Sequence, residues 1–571
     1  MLRIQEKITN IDNTFNLVIA QNQRVIRLHS SRPKAEANKI FTQLSPNHPT
    51  YFIGGLGFGY LLEKILEETN SICIVFEPIS IIFDTVLQIK PELQILLDNP
   101  KVIFIQELTN ISQIIQDKKL NNISFTIHRP YSELFPDQFI TIKDYIAAGI
   151  RKYEVGNATL LRFGKIWTKN IFRNMHRYFT SQKLIPYLNW ASQKPAIVIG
   201  AGPSLEACLP FLQKQQNHAI LIACDTALPI LQQAHINPDF VITVDPQEKN
   251  SLYLRYSLNK NHILVADPAI HDSSFEGYQD QNIILMDSVF PLYTPFQTFW
   301  GSCGLLASGG SVSTSAFDFA RKIDANPIIM IGQDLSFTKQ KTHSSGNILS
   351  EFSRTTHHRL NPYHTLQAKI THTSHSQQIK GRLPNTTVYA DARFILFRDW
   401  FSQEIPKSKA QIIIAGMDGA YLDGAHHTTI EQAFSLLTKN IDKKILTIQD
   451  SIQKEQYIKF LDNIVISTKK LIPICSQILV SINKAYKNKN LDMALKESTR
   501  LQHLLSSPEN HKISLFISIA IQEAIQKAQT LNDTISQEEH LCILHSICKD
   551  TLDGLKSLYN QIKKSQKFIS K

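Results

Sequence analysis

The chain has 571 residues and a mass of 65.0 kDa, too long for one core, so about three to four domains are expected. Its 43% hydrophobic and 9% aromatic residues exclude wholesale disorder and fibrous repeats. The net charge of +11 is spread as single lysines among Asn, Gln and Ser, with no basic run interleaved with stacking aromatics. That pattern sets nucleic acid aside and suits an anionic small molecule or an acidic protein partner.

No window approaches the ~18 uninterrupted apolar residues of a membrane helix. The best stretch, Leu471–Ile482, is short and carries Ser476 and Gln477. The N-terminus opens with Arg3, Glu6 and Lys7 and no apolar core of a secretory signal, so a soluble cytoplasmic protein without membrane insertion is expected. The 7 cysteines include no Cys-x-x-Cys pair, which excludes a disulfide framework and a structural zinc site and predicts reduced, buried thiols.

In chain order, residues 1–150 read as a Rossmann-like N-terminal domain. A strand at Thr50–Ile53 leads through Gly54-Gly55-Leu56-Gly57-Phe58-Gly59 into a helix at Tyr60–Glu68, and a second strand, Ile72–Phe76, ends at Glu77. Further strands are predicted at Lys101–Ile105 and Ile123–Ile127. The glycines permit either a ligand turn, with Glu77 where a ribose-binding acid would stand, or a purely structural strand-to-helix turn. Residues 151–190, with Phe163, Trp167, Phe172, Tyr178 and Phe179, read as a helical connector packing one domain on the next.

Residues 191–425 alternate apolar strands with helices and turns. The strands are Ala196–Ile199, Ile220–Cys224, Phe240–Val244, Ile263–Ala266, Ile283–Met286 and Ile328–Ile331. Continuous apolar strands of this kind predict a mostly parallel sheet covered on both faces. The residues that follow them are Gly200, Asp225, Asp245, Asp267, Asp287 and Gly332-Gln333-Asp334. Because ligands of parallel sheets bind outside the carboxyl ends of the strands, this series points to a polar site. Residues 426–571 are poor in glycine, repeat Leu and Ile at three- and four-residue spacing, and predict a helical bundle of about four helices with breaks at Pro473 and Pro508.

Two segments start helices with small residues. Gly200-Ala201-Gly202-Pro203-Ser204-Leu205 follows a strand directly, and Ser308-Gly309-Gly310-Ser311-Val312-Ser313-Thr314 leads into a helix over Ala316–Lys322. Free N–H groups, the positive dipole end and a serine cap suit a phosphate or carboxylate; both are also ordinary capped turns. After Gly332-Gln333-Asp334 comes a polar segment, 338–385, with His343, His357, His358, His364, His372 and His375. No pair among them has zinc-site spacing on a helix, so a loop carrying one working histidine is expected, with a solvated insertion as the alternative.

The runs GAGPSL, CDTAL (224–228), PDFVITVDPQ (238–247), 308–315 and GQDLSFTKQKTHSSG (332–346) together resemble the motility-associated factor (Maf) flagellin glycosyltransferases. Their central domain is similar to the bacterial CMP-sialic acid sialyltransferases. The resemblance implies a sialyltransferase-like, mostly parallel α/β centre between a Rossmann-like N-terminal domain and a helical C-terminal domain. It implies transfer of a nonulosonic acid, of pseudaminic or legionaminic type, from its CMP-activated form to Ser or Thr hydroxyls of flagellin, supporting motility, with no cofactor and no metal. Carried onto this chain, Gly200, Gly202 and Ser204 would line the CMP phosphate and ribose, Asp225 and Thr226 would lie beside the nucleoside, and Gly310, Ser311 and Ser313 near phosphate or base, with Asp245 and Asp334 completing the set. His343 would be the general base.

The chain departs from the pattern at Ala201, where those enzymes have asparagine, at Asp225, where they have an amide, and at Ala415-Gly416-Met417-Asp418-Gly419-Ala420-Tyr421, a worn form of a Glu-Gly-Gly-Ala stretch. The same superfamily includes MptE-like 6-hydroxymethylpterin diphosphokinases, which transfer pyrophosphate from ATP with Mg²⁺; Asp239, Asp245 and Asp267 would then be the metal ligands. A third alternative is a non-catalytic flagellin-binding protein built on a decayed transferase core.

Overall fold

A computed structural model describes residues 2–10, 13–21, 24–44, 48–118, 122–290, 301–348, 376–443, 454–507 and 536–569, with isolated positions between them. The chain forms two compact units, Met1–Arg162 and Phe163–Lys571. In the first, β1 (Arg3–Thr9), β2 (Phe15–Gln21) and β3 (Arg24–Arg27) make an antiparallel sheet ahead of the first predicted strand. A second sheet holds β4 (Thr50–Gly54), β5 (Ile72–Phe76), β6 (Val102–Ile105) and β7 (Ile123–Ile127), all parallel, in the order β6-β5-β4-β7. Tyr51, Phe52, Ile74 and Val75 are fully enclosed, as expected for strands covered on both faces.

The second unit is built on nine parallel strands. They are β8 (Gln182–Lys183), β9 (Ala196–Ile199), β10 (Ile220–Cys224), β11 (Phe240–Thr243), β12 (Ile263–Ala266), β13 (Ile283–Leu285), β14 (Ile328–Ile331), β17 (Ile412–Ala415) and β18 (His426–Thr428); between the last three runs lies a separate hairpin of β15 (Gln377–Lys380) and β16 (Thr387–Ala390). The sheet order is β18-β17-β14-β9-β10-β11-β12-β13-β8. The chain therefore winds from β9 outward to β13, then returns to the other side of β9 as β14. That reversal is the topological switch point of the sheet, where α/β folds place their ligands.

The reversal also decides which face each helix covers. Right-handed crossovers running in opposite directions put their helices on opposite faces. Phe317 and Phe319 of the helix Val312–Lys322 pack on one face with Val198, Ile222, Ile242 and Met330. The helix Leu205–Gln215 buries Leu205, Cys208 and Leu212 on the other. The two small-residue helix starts share the carboxyl edge but lie on opposite faces, so they do not form one joint cradle.

One helix of 33 residues, Ile142–Asn174, fills the start of the predicted connector. Its last turns run across the carboxyl edge of the large sheet. Asn170 Nδ2 donates to Pro246 O and Ala269 O, both at 2.9 Å, and Asn174 Nδ2 donates to Pro268 O at 2.9 Å and Ile270 O at 2.8 Å. Spaced i, i+4 on one face and fully buried, the two amides hold the loops that follow β11 and β12.

Helices Lys454–Lys487, Leu491–Ser506 and Gln537–Ile569 pack together at the C-terminal end. Leu461, Ile464, Thr468, Leu471, Cys475, Ile478 and Ile482 are buried at alternating three- and four-residue steps, a stripe facing partner helices. The expected break at Pro473 does not occur: the helix Lys454–Lys487 runs through it. A proline removes one backbone donor, and packing along both neighbouring helices holds the axis across that gap. Pro508 lies outside the described residues. Among the described residues one helix segment, Ile458–Lys487, is long and apolar enough to cross a membrane, although the sequence had offered only the shorter Leu471–Ile482. Six of the seven cysteines are buried and all seven are free; Cys542 is the exposed one.

Replacing Asn174 with Ala leaves the carbonyls of Pro268 and Ile270 buried without donors, a loss of about 1–3 kcal/mol. Urea unfolding is expected to show a lower midpoint for Asn174→Ala than for a substitution on the exposed face of the same helix.

Candidate active site

The turn after β9 is packed directly against the turn after β14. Gly200 N donates to Ile331 O and Gly202 N to Gly332 O, each at 2.9 Å. A Cβ on Gly202 would stand 2.1 Å from Asp334 Oδ2, and one on Gly332, whose φ is +64°, 2.3 Å from Gly200 O. Both positions are glycine because two strand-end turns share one space. Asp334 Oδ2 accepts from Ser204 N at 3.1 Å and from Ser204 Oγ at 2.9 Å, which fixes the start of the helix Leu205–Gln215. Burial pushes the Asp334 carboxyl up, and the Arg382 guanidinium opposes that shift.

Arg382, in the hairpin turn between β15 and β16, is buried and donates to main-chain carbonyls only. Its Nε reaches Ala420 O at 3.0 Å, Nη1 reaches Gly416 O at 3.4 Å, and Nη2 reaches Gln333 O. Ala420 N in turn donates to Asp334 O at 2.8 Å. The 415–421 stretch thus lies against the switch point, tied there by a residue that no local motif marks. Its contacts come from loops distant in sequence, so only the fold reveals them.

His343 is brought to the same place. Ser344 N donates to Ala201 O at 2.9 Å, Ser345 N to Glu206 Oε1 at 2.7 Å, and Lys341 Nζ stands 3.6 Å from Glu206, so residues 341–345 are strapped over the glycine turn. The His343 ring retains exposed surface but is set among protein atoms. That desolvation, with the positive Arg393, holds its pKa below the usual imidazole range and keeps the ring neutral near pH 7. Its Nδ1 lies 3.2 Å from Thr342 Oγ1. His357, His358, His364, His372 and His375 lie outside the described residues.

The acids along the carboxyl edge are anchored by local donors. Asp225 accepts from Thr226 N at 2.7 Å and Thr243 Oγ1 at 2.8 Å. Asp245 accepts from Gln247 N at 2.9 Å, and Asp267 from Ala269 N at 2.7 Å and Ser288 Oγ at 3.0 Å. Asp287 takes Cys303 N at 3.0 Å and Gln297 Nε2 at 3.1 Å. Burial raises Asp225 and Asp267 to about 7, helped by the neighbouring Asp245 and Asp287 respectively. Asp239 is elsewhere: it precedes β11 at the opposite edge, accepting from Leu221 N at 2.8 Å and pairing with Lys443 Nζ at 2.7 Å. The trio Asp239, Asp245 and Asp267 therefore cannot hold one metal ion.

The second small-residue turn caps itself. Ser311 Oγ accepts from Ser313 N at 3.4 Å and lies 3.0 Å from Ser313 Oγ, while Gly309 N donates to Thr314 Oγ1 at 2.8 Å. A Cβ on Gly309 would meet Trp400, and one on Gly310 would meet Phe397. Of the predicted residues, Gly200, Gly202, Ser204, Asp334 and His343 converge at the switch point. Asp225, Thr226 and Asp245 line the next part of the same edge, and Gly310, Ser311 and Ser313 stand on the other face.

The N-terminal glycine turn is filled by the protein itself. Leu56 N donates to Glu77 Oε2 at 3.0 Å, Gly57 N to Tyr131 Oη at 3.1 Å, and Phe58 N to His29 Nε2 at 3.1 Å. Glu77 is buried as a turn acceptor and does not face a ribose. His29, Glu36 and His128 converge beside this turn with their donor atoms within 4.8 Å of one another. Since His29 Nε2 accepts the Phe58 amide, its ring proton sits on Nδ1 and points at Glu36, 3.5 Å away. Burial lowers His29 to about 4, and the Glu36 carboxyl, though burial opposes it, is held low by His128, His29 and Ser30 N.

Residues 169–340 match the family model described as 6-hydroxymethylpterin diphosphokinase MptE-like. A solved structure of a Maf glycosyltransferase from Magnetospirillum magneticum AMB-1 superposes with a TM-score of 0.56 at 12% identity, covering 99% of this chain and 91% of that one. Residues 169–340 are thus similar to MptE-like domains, and the fold resembles that of the Maf glycosyltransferase. Three uncharacterized proteins of Treponema pallidum (strain Nichols) are 29%, 28% and 25% identical over 22%, 30% and 32% of this chain. The matched parts span 59%, 51% and 66% of those relatives' own lengths. The matched MptE-like region begins within the Asn170/Asn174 helix and ends just past Asp334, so it contains the switch point and all four edge acids.

The raised acids of the matched region give a signed test. An unfolded Asp titrates near 3.9, so a folded pKa of about 7 means that the folded state holds an extra proton between those values. Stability is then lost as pH rises from about 4 to about 7. Asp225→Asn removes that proton uptake, and is expected to be more stable than the native chain by about 4 kcal/mol at pH 8 and nearly equal to it at pH 4. Urea midpoints across that range check this; parallel curves for the two proteins would mean that Asp225 is already ionised at low pH.

Proposed function

We propose that this protein is a metal-independent glycosyltransferase of the cytoplasm that moves a nonulosonic acid from its CMP-activated form to Ser or Thr hydroxyls of flagellin. The observation that carries the reading is the strap that sets His343 over the Gly200–Ser204 turn, at the switch point of a Maf-type fold. In this reading the helix Leu205–Gln215 presents its N-terminus to the CMP phosphate and stabilises the charge that grows as CMP leaves. His343, neutral near pH 7, takes the proton of the acceptor hydroxyl as its oxygen attacks the anomeric carbon. No cofactor besides the donor takes part.

The family match over 169–340 favours a second reading, Mg²⁺-assisted pyrophosphate transfer from ATP. It has less support, because Asp239 lies at the far edge and the remaining acids already accept hydrogen bonds from local donors.

Calorimetry of the purified chain with CMP, and separately with ATP and Mg²⁺, separates the two. Metal-free CMP binding, with transfer lost by at least about 100-fold in His343→Ala and CMP affinity kept, is the expected result. The native transfer rate is expected to stay level at and above neutral pH and to fall only once the pH drops below the usual imidazole range, where the ring gains its proton. Binding of ATP only with Mg²⁺ would replace this reading with the second.

A further inference from the structure

One side chain at the switch point is buried and unemployed. Gln333 follows Gly332 at the end of β14 and is 3% exposed, yet its Nε2 has no hydrogen-bond partner. The amide lies across the crevice onto the neighbouring turn: a Cβ on Gly200 would stand 2.5 Å from Nε2 and 2.9 Å from Cδ. The absence of that Cβ gives the amide its place. Its backbone is held as well, because Arg382 Nη2 donates to Gln333 O and Gly202 N donates to Gly332 O. Leaving an amide donor buried and unpaired is destabilising in the free protein. A chain that rigidly presents such a group beside a helix N-terminus has the geometry of a preorganised ligand contact.

We propose that Gln333 is a donor-recognition residue whose amide hydrogen-bonds an acceptor oxygen of the CMP moiety when it sits on the Gly200–Ser204 turn. This assignment rests on the CMP reading above and adds a contact that the sequence motifs had left without a role. Asp334 next to it gives Oδ2 to Ser204, and its Oδ1, also without a partner, can only accept, so Gln333 is the side-chain donor of this pair of turns left to meet an acceptor oxygen of the ligand.

Gln333→Met keeps length and shape while removing both polar atoms, and Gln333→Leu does so with a shorter chain. Relief of the unpaired amide is expected to raise the melting temperature of the ligand-free protein by about 2 °C. The same change is expected to weaken CMP binding at least about tenfold. Cytidine titrated in parallel locates the oxygen. An equal loss for cytidine assigns it to the nucleoside, and a loss confined to CMP assigns it to the phosphate. A structural glutamine would give the opposite sign in the first measurement, so a lower melting temperature in both variants overturns the assignment. Unchanged CMP affinity in a variant, with the native chain binding CMP, overturns the assignment and leaves the CMP reading standing. A native chain that ignores CMP overturns both.

Discussion

A parallel sheet wound outward from a central strand needs one return crossing, and in the larger unit that crossing places β14 beside β9. Much else follows from it. Adjacent strands whose connections leave toward opposite faces part at their carboxyl ends, and the gap has to be closed by backbone or by ligand. Here Gly200, Gly202 and Gly332 let the two turns approach until their main chains hydrogen-bond, which seals the lower part of the gap. Ser204 and Asp334 then lock the helix start, and Arg382 anchors the 415–421 stretch on the far side. The same constraint gathers residues from 200, 333, 343, 382 and 420 into one place.

The N-terminal unit contains the same solution on a smaller scale, with the opposite result. Its strands also reverse, with β7 returning beside β4, and the glycine turn after β4 stands at that reversal. Its three successive amides at 56–58 are taken by Glu77, Tyr131 and His29, all buried. A phosphate arriving there would have to displace three satisfied acceptors. In the turn after β9, carbonyls of β14 and its turn take Gly200 N and Gly202 N, and a single side-chain acceptor, Asp334, takes Ser204 N; across it lie the unpaired amide of Gln333 and the strap bearing His343. Two turns of like sequence differ in chemistry because of groups contributed from elsewhere in the chain.

That difference marks what a sequence can disclose. The strands Ile72–Phe76, Ile123–Ile127, Ala196–Ile199, Ile220–Cys224, Ile263–Ala266 and Ile328–Ile331 stand where their apolar runs predicted, because a strand covered on both faces needs little beyond its own residues. The short outer strands β8, β17 and β18 carry weaker local signals and depend on the sheet that recruits them. Residues next to a glycine turn, such as Ser204 and Asp334, were legible because the turn itself is the signal. Arg382, Asn170 and Asn174 were not, since each acts on carbonyls dozens of residues away. The series of acids was visible, but not that each would turn inward to a neighbouring N–H. An aspartate after a strand reads alike whether it faces a ligand or its own turn. Asp239 shows the converse: close to Asp245 in sequence, it lies at the other edge, because a four-residue strand separates them.

The acids also bear on the kind of ligand the edge can accept. Four ionised carboxylates in a row would repel an anionic nucleotide sugar and attract a divalent cation. With Asp225 and Asp267 raised to about 7 by burial, each carries roughly half a charge at neutral pH, and the edge is less negative than its sequence suggests. Their oxygens are engaged by Thr243, Ser288 and backbone amides, so a metal would have to break those bonds to bind. A protonated carboxyl at Asp225 has one donor and one acceptor, the same pair that an amide offers. Asp225 in its neutral form thus offers the hydrogen-bonding pair of an amide, and burial is what makes that form accessible near pH 7.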